Sequence, residues 1–355
     1  MNAIDRALTD WLNAHWDYQV HGEPRHGTFG QVWVTGAPRD RMFPKRVARK
    51  TINPQKLAAA NGDDLVSIFE REMHLWLHLP YHPNVLEAHC IDVAELPDFV
   101  DSRLRRLPLV RMPFCECNLK DWIALPVATV STINRLIALW QLSNGLLWLY
   151  QHGIEGHGDL KPDNVLVADL LTQATLHGTP APAWRWQIRV ADLGWANAWI
   201  DLGFSNRAWR PYLAPERFDN TFVPAASDIF AVGIIGAELL QGRHPAGDSA
   251  ERIGKWKEDK YRRWAVGSQR ELRDVGLPEI QQLLANCLSN DPQKRPGISE
   301  IKDRISTVIH KDFGLDISHL LKHENESADQ DSALDHTIWA AKQLARVCRK
   351  SRLFL

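Results

Sequence analysis

The pattern of apolar residues changes once along this chain, near residue 118, and that change restricts the folds it can adopt. Upstream, "QVWVTG" and "KRVARKT" read as strands joined by a polar loop, and further short strands are expected at 85–95 and 107–112. Helices are expected at 55–79 and at 3–18, where Ile4, Leu8, Trp11 and Leu12 recur at helical spacing. Downstream, "LKDWIAL", "STINRLIALWQLSNGLLWLYQHG", "SDIFAVGIIGAELLQG" and "LPEIQQLLANCLSN" are apolar-rich helical patterns. A strand-rich piece of about 115 residues therefore precedes a helix-rich piece of about 190, with the join near "MPFCECN". The expected fold class is α+β with two unlike lobes, and the cleft between such lobes is a usual place for a ligand.

The boundaries that follow are an N-terminal helical extension at 1–20, a strand-rich lobe at 21–115, a helical lobe at 116–311, and a tail at 312–355. The tail runs through the acidic "KHENESADQDSALD" into the basic, helix-patterned "HTIWAAKQLARVCRKSRLFL", which could carry a regulatory protein partner. The stretch "LTQATLHGTPAPAW", 171–184, is rich in Thr, Ala and Pro and reads as a surface loop.

With 42 basic and 43 acidic residues there is no global positive field, so no specific nucleic-acid partner is expected. Among five cysteines only Cys115 and Cys117 are close in sequence, and nothing pairs with them at metal-ligand spacing, which suits a reducing compartment. Asp and Arg interrupt "MNAIDRALTDWLNAHW", so it is no signal peptide, and no apolar run reaches membrane-spanning length. The expected location is cytoplasmic.

Several stretches could carry chemistry. In "RHGTFGQVWV", Gly27 and Gly30 bracket a strand–turn–strand whose backbone N–H groups could approach phosphate oxygens. Lys50 ends the strand-like "RVARK", and Glu72 lies in the helical "FEREMHLWLHL", where it matters only if it faces Lys50. "HGDLKPDN" sets Asp159, Lys161 and Asn164 close together. A carboxylate there could accept a proton, an amide oxygen could ligate a hard metal, and an ammonium could hold a phosphoryl group. "IRVADLG" puts Asp192 where a strand gives way to a glycine turn, a suitable place for Mg²⁺. Taken singly, each has a plainer reading as a tight turn, an exposed strand lysine, a solvated helix glutamate or a loop cap.

Together and in this order, these stretches resemble the eukaryotic-type protein kinase family, over about residues 20 to 310. "RHGTFGQV" matches the glycine-rich phosphate loop except in its first glycine. "VARK" matches the strand lysine motif, "HGDLKPDN" the catalytic loop and "DLG" the metal-binding turn. "YLAPE" matches the end of the activation segment, "SDIFAVG" the start of a following helix, and "DPQKRP" a late arginine motif. The resemblance implies a bilobal protein kinase-like fold that transfers the γ-phosphoryl group of ATP to a protein serine or threonine, with Mg²⁺. Gly27 and Gly30 would cover the phosphates, and Lys50, paired with Glu72, would contact them. Asp159 would be the base and Lys161 would steady the transferring group, while Asn164 and Asp192 would hold the metal. Val32, Ala48, Met112, Pro113, Phe114, Cys115 and Leu166 would surround the adenine. Glu216 would pair with Arg295, and Asp228 would brace the catalytic loop.

Three stretches depart from the family pattern. Arg25 stands where the first phosphate-loop glycine is expected, Gly158 replaces the arginine before the base, and Ala208–Trp209 replaces Gly-Thr before "RPYLAPE". The segment "DLGWANAWIDLGFSNRAWRPYLAPE" has Ser205 as its only serine and no threonine, so activation by phosphorylation there is not expected. Arg25 and Trp209 motivate a second reading, a nucleotide-binding scaffold without activity. A third is phosphoryl transfer to a small molecule.

Overall fold

Burial alternates along "GQVWVTG" in the computed structural model, so one strand serves two environments. The structure describes residues 3–14, 19–26, 30–36, 46–53, 62–97, 105–126, 129–177, 184–193, 211–218 and 223–317; within the helix at 62–78, the side chains of 62–65, 67–68 and 71–72 are outside the description. Strands β1 (Arg25–His26), β2 (Gly30–Gly36), β3 (Arg46–Ile52), β4 (Cys90–Glu95) and β5 (Arg106–Pro113) form an antiparallel sheet in the order β1-β2-β3-β5-β4. The register sets Val32 opposite Lys50 and Ala48 opposite Met112, so these side chains share one face.

The other face carries Gln31, Trp33, Thr35 and Arg49, all fully or almost fully buried. Helix α1 (Ala3–Ala14) lies against this sheet. It packs on β4, and its Asp5 lies 3.8 Å from His26 of β1, at the opposite edge of the sheet. Twelve residues span about 18 Å, close to the roughly 19 Å across five strands. Ala7, Leu8 and Leu12 join Trp33 in the core, while Arg49 is paired with Asp92 at 2.5 Å.

Helix α2 (Gly62–His78) packs on β3 and β5, with Phe69, Met73 and Trp76 inward at helical spacing. After the short β6 (Cys117–Asn118) comes the helical lobe. Its helices are α3 (Leu119–Ile123), α4 (Thr132–Gln151), α5 (Leu170–His177), α6 (Pro224–Gln241), α7 (Ala250–Ile253), α8 (Glu258–Val266), α9 (Pro278–Cys287) and α10 (Ile298–Phe313). Strands β7 (Val165–Asp169) and β8 (Trp186–Val190) complete a small sheet with β6.

Helix α4 is apolar on most sides because β8, α6 and α10 all pack against it. A Cβ on Gly145 would sit 2.4 Å from the Asn84 carbonyl oxygen, so only glycine allows that approach. Buried Arg135 donates to the carbonyls of Val130, Ile123, Leu125 and Leu239, satisfying backbone acceptors near the ends of three segments. Helix α6 is long and apolar enough to cross a membrane, yet most of it is buried inside the helical lobe.

Several expectations are corrected. The stretch 85–95 is not one strand. Val85 bridges Val190 of β8 in parallel, and β4 begins only at Cys90, so the chain between them passes from one lobe to the other. Asn84 ties this crossing down through Gln141 Oε1 at 3.0 Å and the Ile188 carbonyl at 3.1 Å. The loop expected at 171–184 starts instead as helix α5, because Asp169 caps it by accepting from Thr172 N–H and Oγ1. The helix expected at 3–18 is described to Ala14, and that at 55–79 as Gly62–His78. Residues 178–183 and the tail from 318 lie outside the described residues, and Ile317 is still part of the core.

Candidate active site

The loop "HGDLKPDN" is built around a buried carboxylate. Asp228, near the start of α6 and 2% exposed, accepts from His157 N–H at 2.5 Å, Gly158 N–H at 3.0 Å and Tyr150 Oη at 2.9 Å. Burial pushes its carboxyl above the usual range, against the pull of these donors. To present its N–H there, Gly158 adopts φ +72°, where an L side chain is strained. Burial also holds His157 below its ordinary value and therefore neutral. Its Nε2 donates to Ala191 O at 2.8 Å, leaving Nδ1 to accept from Asp159 N–H at 3.3 Å. The loop is thus fixed to α6 on one side and to the end of β8 on the other.

From this frame Asp159 projects with its partners around it. Lys161 Nζ donates to Asp159 Oδ2 at 3.2 Å, and Asn164 Nδ2 donates to Asp159 O at 2.9 Å and Oδ2 at 3.0 Å. A 3₁₀ turn at Pro162–Asn164 brings Asn164 back over Asp159, and Ala191 N–H donates to Asn164 O at 2.9 Å. Burial lowers the Lys161 pKa against the opposing charge of Asp163.

Across the cleft, Lys50 Nζ pairs with Asp192 Oδ1, joining β3 to the segment after β8. Asp192 has φ +61° and is the one positive-φ non-glycine among the described residues; the sharp turn aims its carboxylate back toward the sheet. Arg25 keeps ordinary strand geometry opposite Val32, so the missing glycine freedom is not needed there.

These groups line a cavity of about 550 Å³ between the lobes. Its wall includes Gly30, Val32, Ala48 and Lys50 from the sheet, Met112, Pro113, Phe114 and Cys115 from the connection, and Asp159, Lys161, Asn164, Leu166 and Asp192 from the helical lobe. Gly27 and the side chain of Glu72 lie outside the described residues, as do Ser205, Ala208 and Trp209. Val34, Trp76, Leu86, Cys117 and Ala191 also line it, and sequence reasoning missed them. Val34 could have been found, since it follows Gly30 and Val32 at period two. Trp76 could have been placed one turn beyond Glu72. Asn164 and Asp192 offer an amide and a carboxylate oxygen at one end of the cavity. Among the described residues no group of three or more His, Cys, Asp or Glu could hold a metal without other ligands.

Below the cavity the residues before "APE" are held firmly. Glu216 and Arg295 form a buried bidentate pair at 2.7 and 2.8 Å, with Ser227 Oγ donating to Glu216 at 2.6 Å. His244 Nε2 donates to Pro211 O at 2.6 Å, and the Tyr261 hydroxyl lies 2.8 Å from Pro211 O and 3.0 Å from Leu213 O. Burial lowers His244 to about 4, so it stays neutral. Tyr212 donates to Glu238 at 2.9 Å.

Residues 19–305 match the family described as protein kinase domain. Among curated relatives, the receptor-like serine/threonine-protein kinase NCRK of Arabidopsis thaliana is 25% identical over 288 residues, 73% of this chain and 46% of that protein. The serine/threonine-protein kinase PkaB of Streptomyces coelicolor is 28% identical over 303 residues, 82% of this chain and 63% of that protein. The chain therefore spans less than two thirds of the length of either relative. The crystal structure of Rad53 1-466 in complex with AMP-PNP has the same fold, with a TM-score of 0.56 and 20% identity over 81% of this chain and 64% of that one. The family match takes in the whole inter-lobe cavity and the loop braced by Asp228, and this chain belongs to the protein kinase domain family.

Proposed function

We propose that the chain is an ATP-dependent serine/threonine protein kinase. The observation that carries this reading is the meeting of Asp159, Lys161 and Asn164 with the Lys50–Asp192 pair on one cavity. Transfer of a phosphoryl group requires charge neutralisation and alignment more than covalent chemistry, and this set supplies both. Asp159 Oδ2 accepts bonds from Lys161 and Asn164, an orientation suited to receiving a hydroxyl proton. Lys161, two residues after the base, favours a serine or threonine acceptor by family analogy. Lys50 would contact the α- and β-phosphates, and the apolar strip Val32, Ala48, Met112 and Leu166 would take the adenine.

Asn164 and Asp192 fit Mg²⁺, which is commonly held by one or two carboxylates with phosphate oxygens completing the set. Bound there, the ion would neutralise charge on the phosphates. The Asn164 amide nitrogen is committed to Asp159, which turns its oxygen away from that residue and frees it for such a role.

The test is transfer from labelled ATP with Mg²⁺ to generic protein substrates by wild type, Asp159→Asn and Lys50→Met. Transfer by wild type, reduced at least about 100-fold in both variants, is expected. Nucleotide binding with no transfer to any acceptor would reject the reading in favour of a scaffold.

A further inference from the structure

The segment between β7 and β8 meets the connection between the lobes through α5, none of whose residues lines the cavity. Asp169 caps α5 through Thr172 and is itself held by Arg185 Nη2 at 2.9 Å, with the Arg185 guanidinium over the Trp186 ring. The Asp169 N–H donates to Glu116 Oε2 at 2.6 Å. One turn into α5, Gln173 Nε2 donates to the Phe114 carbonyl at 3.2 Å and lies 3.5 Å from Glu116 Oε2. Phe114 and Glu116 belong to the few residues that link the lobes, and Phe114 and Cys115 line the cavity.

The peptide between Phe114 and Cys115 is planar and trans, so its C=O and N–H point in opposite directions. A donor on α5 that fixes the Phe114 carbonyl therefore fixes the Cys115 N–H pointing away from α5.

We propose that Gln173 is a positioning residue for the nucleotide base: through the Phe114 carbonyl it holds the Cys115 N–H toward an acceptor on the edge of a bound purine. The inference rests on the reading of the cavity as a nucleotide site. It assigns a role to an insertion that the transfer chemistry does not use. Thr175, on the same helix, donates its hydroxyl back to Leu171 O and serves as the control.

The experiment measures calorimetric binding of adenosine and of ATP to the full chain, with steady-state kinetics alongside. Wild type is compared with Gln173→Ala, Gln173→Glu and Thr175→Ala. Gln173→Glu has nearly the same size but replaces the donor with an acceptor, so it tests the bond without opening a gap. Adenosine affinity is expected to fall about fivefold in Gln173→Ala, the weight of one neutral hydrogen bond, and at least as far in Gln173→Glu. ATP should weaken by the same factor because the phosphates are not involved. KM for ATP should rise with kcat unchanged, and Thr175→Ala should behave as wild type. Adenosine binding within about twofold of wild type in both Gln173 variants overturns the inference. So does an equal loss in Thr175→Ala, or a fall in kcat at constant KM. Wild type that binds neither adenosine nor ATP overturns the cavity reading as well.

Discussion

Glu238 should make this protein less stable as the solution becomes more alkaline, and the replacement Glu238→Gln should remove that sensitivity. The carboxyl lies at 5% exposure on α6 and accepts from Tyr212 Oη at 2.9 Å. Burial is the dominant cause that raises its pKa from 4.5 to about 8, with the Asp163 charge adding to it and Lys120 opposing. Above 4.5 the unfolded chain has released this proton while the folded chain still holds it. Stability is therefore full below 4.5 and falls as pH rises, until the folded group ionises near 8. At about 1.4 kcal/mol per pH unit, the span from 4.5 to about 8 amounts to about 5 kcal/mol. A chain of this size loses roughly 2 °C of Tm per kcal/mol, which gives a shift of about 10 °C. The substituted amide would retain an acceptor oxygen for Tyr212 and cannot ionise, while every other titrating group is common to both proteins. The assay is thermal unfolding of wild type and Glu238→Gln from pH 4 to pH 9. Wild type should match the variant at the acid end and drop about 10 °C below it at the alkaline end. Parallel curves over that range would refute the reasoning.

Gly158→Arg places an L residue at φ +72°, and a loss of about 1 kcal/mol, or about 2 °C in Tm, is expected. Arg295→Ala leaves Glu216 charged and buried without its bidentate partner, which should cost about 3–5 kcal/mol. Removing both partners together should cost less than the sum of the single changes, as a double-mutant cycle in urea would report. Ser205→Ala should keep kcat within tenfold of wild type; a larger fall, at about 1.4 kcal/mol of barrier per tenfold, would mean that this serine controls the activity.

How much of the site could be read in advance depended on chain distance. Asp159, Lys161 and Asn164 sit in one loop, so their spacing alone brings them together around one carboxylate. Lys50 and Asp192 come from different lobes, and only the order of motifs along the family pattern linked them before the fold did. The two lobes were legible because a period of two and a period near four cannot be exchanged. Helix α5 was not, because Ala, Thr and Pro suggested a loop while the Asp169–Thr172 cap went unread. The burial of Arg49 was equally hidden. In "RVARK" Arg49 reads as a charged strand residue, and nothing local shows that it is buried and paired with Asp92 of β4. Gly158 showed only as a missing arginine; its backbone angle adds a conformational reason for the glycine.

The N-terminal helix also bears on how this kinase domain can be excised. The family-matched stretch, 19–305, omits Ala7, Leu8 and Leu12 at one end and Val308, Ile309 and Ile317 at the other, all of them buried. Cutting the chain to that stretch would take these side chains out of the core and bare the apolar surface packed against them, an invitation to self-association. The buried core of this protein thus runs past the family-matched stretch at both ends.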